Sequence, residues 1–88
     1  MTQSKALTAI RGLERPIRVD LLAVPGCSML TLASAAEPLR AANRQAGRMV
    51  FDWKFLSIDG RPPETSSGMG WPVSGRHDPS SRTDIFAL

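Results

Sequence analysis

Two short apolar runs on either side of one long stretch with a helical period set the narrowest limit on what this chain can fold into. The first run, Ile17-Arg18-Val19-Asp20-Leu21-Leu22-Ala23-Val24, alternates at its start and is wholly apolar at its end. That pattern suits a strand entering a sheet covered on both faces. Pro25-Gly26 stops it. From Ser28 to Gly47, the residues Leu32, Ala35, Leu39, Ala42 and Ala46 recur at steps of three and four, which places them on one helical face. Ser28 suits the N-cap and Gly47 the C-terminal stop, with Arg44 and Arg48 at the negative end of the dipole. Phe51, Trp53 and Phe55 then alternate with Asp52 and Lys54 and run on into Leu56-Ser57-Ile58, a second strand. Strand, helix, strand is the βαβ unit, which requires parallel strands and a right-handed crossover.

Pro38 is the discordant residue of the helical stretch. Inside a helix it removes a backbone hydrogen bond and crowds the preceding turn, at a cost of about 3 kcal/mol. Either the helix bends there or a short first turn precedes a helix starting near Glu37. Downstream, Asp59-Gly60 is a turn signal, and residues 61–70 are rich in Pro and Ser. Trp71-Pro72-Val73 reads as a brief edge strand, because Pro excludes a central position. Residues 75–83 read as polar loop, and Asp84-Ile85-Phe86-Ala87-Leu88 opens a further apolar run that is still in progress at the last residue. A parallel sheet needs helices on both faces, and one good helix is in view. The expected class is therefore α/β: an incomplete flavodoxin-like three-layer sandwich, with a mainly parallel sheet begun by βαβ. Residues 1–16 are expected to be a basic, partly ordered leader, and residues 17–88 the start of the domain.

Composition narrows the function classes. The chain has 88 residues, 42% of them hydrophobic, which is ordinary globular content. No apolar run approaches the ~18–20 residues of a membrane span. The N-terminus lacks the continuous apolar stretch of a signal peptide, so a cytoplasmic location is expected. One Cys excludes an internal disulfide or a multi-cysteine zinc site. One His and no Tyr leave little acid–base chemistry near neutral pH, so a self-sufficient enzyme is not expected, nor a cofactor or metal. The net charge of +3 comes from Lys5, Arg11, Arg15 and Arg18, opposed in that segment by Glu14. These basic residues are not interleaved with aromatics, as a single-strand stacking platform requires.

Three segments carry a resemblance. They are Val24-Pro25-Gly26-Cys27-Ser28, then Glu37-Pro38-Leu39-Arg40-Ala41-Ala42-Asn43-Arg44, then Trp53 through Ser57-Ile58-Asp59-Gly60. Together they resemble the N-terminal part of the amidotransferase-like (PfpI/ThiJ superfamily) domain of AraC-type transcriptional regulators, in particular the GlxA-type group. That group's usual form is a hydrophobic strand, Pro-Gly-Phe-Ser, a helix bearing Glu-Pro-Leu-Arg-x-Ala-Asn, and an aromatic strand ending in Asp-Gly. Ser66-Ser67-Gly68 and Pro72-Val73 also fit. The resemblance implies a non-catalytic domain that senses a small-molecule effector, of the quaternary-amine or amino-acid kind, and works as a homodimer. It implies DNA contact through a C-terminal helix-turn-helix pair downstream of these residues, and no membrane.

Candidate ligand contacts follow. Gly26, Cys27 and Ser28 present backbone N–H groups at a helix start after a strand, an arrangement ready for an anion, and open α/β sheets bind ligands beyond the carboxyl ends of their strands. No dinucleotide or Walker fingerprint is present. Cys27 invites a nucleophile reading, but the resemblance places Phe there and the superfamily's cysteine elsewhere, so it reads as a small buried hydrophobe. By the same resemblance Thr31 stands where the superfamily's enzymes carry an acid that tunes their cysteine. Threonine cannot do that, which favours a sensor over the alternative of a superfamily enzyme such as an isocyanide hydratase or an amidase-like protein. Glu37 either lines a ligand cleft or pairs with Arg40 or Arg44. Asn43 and Arg40 read as packing or subunit contacts, and His77 as a solvated loop residue. A further reading is a chain that folds only by pairing with another copy through an open strand edge.

Overall fold

The computed structural model describes residues 15–87. Their elements are β1 (Ile17–Leu22), α1 (Met29–Ala46), β2 (Phe51–Ser57), β3 (Gly75–Arg76) and β4 (Ile85–Ala87). The strands form one sheet in the order β3-β2-β1-β4, and every neighbouring pair is parallel. A central first strand flanked by the second and by a later one is how a flavodoxin-like α/β sheet begins, so the chain has the incomplete α/β fold that its pattern predicts. Most of the expected leader lies outside the described residues. Among those described, no helix is long and apolar enough to cross a membrane.

α1 is one uninterrupted helix with Pro38 inside it. The alternative of a helix starting near Glu37 does not hold. Both caps form where the residue types dictate. Ser28 Oγ accepts from the amides of Leu30 (3.2 Å) and Thr31 (3.5 Å). Gly47 takes the left-handed conformation, φ 70°, that side chains resist, and amides beyond the last turn return to the carbonyls of Arg44 and Asn43. The inward face differs from the predicted one by a small rotation. Met29, Leu32, Ala36, Leu39, Asn43 and Ala46 are buried or half-buried, whereas Ala35 is exposed. Apolar spacing alone could not find Asn43 on that face, because it is held there by hydrogen bonds.

Strand register sorts the sheet's two faces. Ile17↔Phe51, Val19↔Trp53 and Leu21↔Phe55 stand side by side, and between them Arg18↔Asp52, Asp20↔Lys54 and Leu22↔Leu56. Successive residues point to opposite faces, so the Ile17, Val19 and Leu21 rungs make one face of the β1–β2 pair apolar, and the other face is charged at its first two rungs. Val19, Leu21, Leu22, Ala23, Leu32, Val50 and Leu56 form the buried core.

Two loop expectations change. Trp71-Pro72-Val73 is not a strand. The edge strand lies at Gly75–Arg76, inside the stretch read as loop, where the Ser74 and His77 amides donate to the carbonyls of Phe55 and Ser57 (both 2.8 Å). Pro72 has no N–H to give to such a ladder, and the pairing begins just beyond it. The Pro- and Ser-rich stretch is also ordered. Glu64 bridges Gly70, the Thr65 hydroxyl donates to the Met69 carbonyl (2.7 Å), and Thr65 is buried. Trp71 then packs edge-on against Phe55, with ring centroids 5.3 Å apart.

At the opposite edge, β4 is tied to β1 by a bidentate ion pair. Arg15 donates to both carboxylate oxygens of Asp84 (2.7 and 2.9 Å), and the Arg18 amide donates to the same carboxylate (2.9 Å). The Arg15 hydrogen bonds, followed by the Arg18 amide, hold the Asp84 carboxyl well below the usual carboxylate range.

Candidate functional site

The carboxyl ends of β1 and β2 carry the candidate site, because the positive-φ turns at Gly26 and Gly60 and the loop that holds Gly68 collect there. β1 ends in a turn whose Gly26 has φ 83°, a conformation that favours glycine. The Gly26 amide donates to the Glu64 carbonyl (2.8 Å), and the Cys27 carbonyl accepts from the Ser66 amide (2.9 Å). The ordered loop around Thr65 is thereby stitched to the strand-to-helix turn. Four of the large apolar side chains that remain exposed are also on this crest: Val24, Leu30, Ile58 and Met69. Leu30 is the most open at 76%, which leaves an apolar rim around the turn.

Each predicted contact residue has a definite place. Gly26 is committed to the turn and its amide to Glu64. Cys27 is half-buried and free of disulfide, more open than a core residue. Ser28 is exposed and caps α1, and Thr31 is exposed on its first turn. These four are consecutive or one turn apart and share the crest. Glu37 stands two turns further along α1, where its carboxylate accepts from Arg40 Nε (2.9 Å) and pairs with Arg40 Nη2 (2.8 Å), both side chains more than half exposed. It is the ordinary helix-surface pair, largely screened by solvent.

Asn43 has a definite task as well. Its Nδ2 donates to the Phe51 carbonyl, and its Oδ1 accepts from the amides of Val50 and Phe51, all at 2.8 Å. This is helix packing, as its type and position suggest. Among the described residues, a concavity of about 360 Å³ lined by Arg76, His77, Asp78 and Pro79 opens at the carboxyl end of β3, beside the Gly60 turn. One of about 250 Å³ lined by Arg15, Pro16, Ile17 and Asp84 and one of about 460 Å³ lined by Arg40, Ala41, Arg44 and Gln45 lie away from the crest. His77 is half-buried rather than solvated, since its backbone joins the end of the sheet. Beside it, Asp78 is held below its ordinary range by the Ser80 hydroxyl and amide. Among the described residues, no group of three or more His, Cys, Asp or Glu side chains could hold a metal ion.

Sequence reasoning missed two residues. Thr65 organises the loop over the turn, and the Ser-Ser-Gly that follows it was its only signal. Asp20 is buried in the central strand, where alternation marks it as one more polar position.

Over most of its length, the chain is similar to bacterial HTH-type transcriptional regulators. It is 41% identical over 54 residues to the HTH-type transcriptional regulator GbdR of two Pseudomonas aeruginosa strains, a match that takes in 61% of this chain and 15% of the relative. It is 39% identical over 65 residues to the HTH-type transcriptional regulator CdhR of Pseudomonas aeruginosa, or 74% of this chain and 19% of the relative. The chain thus spans less than a fifth of the length of these curated relatives. No protein-family profile matches it, and no solved structure does.

Proposed function

We propose that this chain is part of the regulatory domain of an AraC-type transcriptional regulator, a domain of the PfpI/ThiJ amidotransferase-like kind that senses a small metabolite without turning it over. The observation that carries the reading is the similarity to two transcriptional regulators, at about 40% identity across 54 to 65 residues. The crest supports it. Gly26, Cys27, Ser28 and Thr31 sit beyond the carboxyl ends of parallel strands, where open α/β sheets take ligands, and an ordered loop and an apolar rim surround them. Glu37 lies along the helix from this crest and contributes at its margin. The effector is a small molecule of the amino-acid or quaternary-amine kind. Its binding shifts the population of dimer states that a helix-turn-helix unit outside these residues reads out on DNA. Such a regulator works in the cytoplasm.

Thr31 argues against the enzyme reading. By the resemblance, the superfamily's enzymes carry an acid at this position to tune their nucleophile, and an exposed threonine hydroxyl does not ionise near pH 7. The test is a set of backbone amide spectra of the 88-residue chain, recorded with a panel of amino acids and quaternary amines. Shifts concentrated on residues 26–31 and 64–70 are expected, with the added compounds unchanged. Turnover of a compound, or shifts confined to other regions, would overturn the proposal.

A further inference from the structure

The central strand carries a buried carboxyl group that no hydrogen bond matches among the described residues. Asp20 is 1% exposed, and among the described residues no donor lies within hydrogen-bonding distance of either carboxylate oxygen. An ionised carboxylate withdrawn from water without a counter-charge is among the most destabilising features a fold can hold. The strand register supplies one. Asp20 stands beside Lys54 and Arg18 beside Asp52. Neighbours in register project to the same face from strands about 4.8 Å apart, so two opposite-charge rungs follow one another along the β1–β2 seam. Leu22 beside Leu56 comes next. Lys54 is half-buried, and among the described residues no hydrogen bond or ion pair engages its ammonium group.

The order of the signs also discriminates between registers. Sliding β1 by two residues along β2 keeps each face inward or outward. In one direction the slide sets Asp20 beside Asp52, and in the other it sets Arg18 beside Lys54. Both slips put like charges side by side, while a one-residue slip turns the apolar row to the charged face.

We propose that Lys54 is the counter-ion of the buried Asp20, and that the charged rungs fix the register in which β1 meets β2. A lysine suits the position, because a long flexible stem lets an ammonium swing toward a carboxylate on the neighbouring strand while its methylenes stay on apolar surface. Asp52 is exposed, so the Arg18 rung is nearer to water and weaker. This device is independent of any effector and holds whether or not the crest binds one.

The test is a double-mutant cycle on the 88-residue chain, read by urea unfolding, with Lys54→Met, Asp20→Leu and both together. Lys54→Met alone leaves the carboxylate stranded and is expected to raise the unfolding equilibrium constant most. Adding Asp20→Leu to it should recover at least about tenfold of that loss. Cross-strand amide contacts between Leu21 and Phe55 report that the register is kept. If Lys54→Met does not fold at all, refolding of the double variant supports the pair. Effects that merely add, or a double variant as unfolded as Lys54→Met, would overturn it.

Discussion

One amide side chain, that of Asn43, joins the helix to the sheet. It serves two backbone donors and one backbone acceptor at the start of β2, and the Val50 carbonyl in turn accepts from the Ile17 amide (2.8 Å). Helix, second strand and first strand therefore meet at this residue. Replacing Asn43 with Leu keeps the volume roughly similar but leaves three part-buried backbone groups unmatched. At about 1 kcal/mol or more apiece, a loss of roughly 3 kcal/mol is expected in urea unfolding. A loss under about 1 kcal/mol would show that water replaces the amide at no cost. Asp84 makes a second prediction at this scale. Its carboxyl is held below the ordinary value in the folded chain, so the unfolded state takes up its proton first as pH falls. The pair's stabilisation is complete above the ordinary carboxylate pKa of about 4 and is lost progressively as the solution becomes more acidic. Asp84→Asn should therefore flatten the acid limb of a stability-against-pH profile. An unchanged limb would contradict the role of the Arg15 clasp.

The helix obeyed its caps and ignored its proline. Ser28 and Gly47 end α1 where their residue types say it should end, because a hydroxyl acceptor and a left-handed glycine are local devices that need nothing from the rest of the fold. Pro38 is also a local signal, but contacts with the sheet outweigh it. Pro38→Ala is accordingly expected to stabilise the chain, by up to about 3 kcal/mol in thermal or urea unfolding. Destabilisation would mean that the proline shapes the helix for its contacts. The same division explains what the sequence made legible. The two main strands, the helix and the parallel order follow from period and turn chemistry. The edge strand at Gly75–Arg76 does not, since two residues paired to a neighbouring strand have no period of their own. The stitching of Gly26 and Cys27 to Glu64 and Ser66 is made by backbone groups, which every residue type carries, so no side chain announces it. Of the crest, the turn and its cap were readable, while the loop that covers it was not.

At the scale of the whole molecule, one helix serves a four-stranded parallel sheet among the described residues, and the edges at β3 and β4 are open. Ile85 on β4 remains 45% exposed. A sheet of this kind buries too little to be robust alone, so the isolated chain is expected to be marginally stable or to associate. A monodisperse monomer that unfolds cooperatively above about 60 °C in sedimentation and calorimetry would contradict this. The regulatory reading is itself a statement about a larger assembly, and a chimaera addresses it most directly. The residues of the CdhR regulator that align with this chain would be replaced by this chain's own, and transcription from a CdhR-dependent reporter measured with and without added amino acids and quaternary amines. Transcription that still responds to an added compound, and loses that response when Ser28 and Thr31 are both changed to bulky side chains, is the expected result. A reporter that is silent or constant under every addition, from a chimaera shown to be folded and present, would contradict a sensing role for these residues.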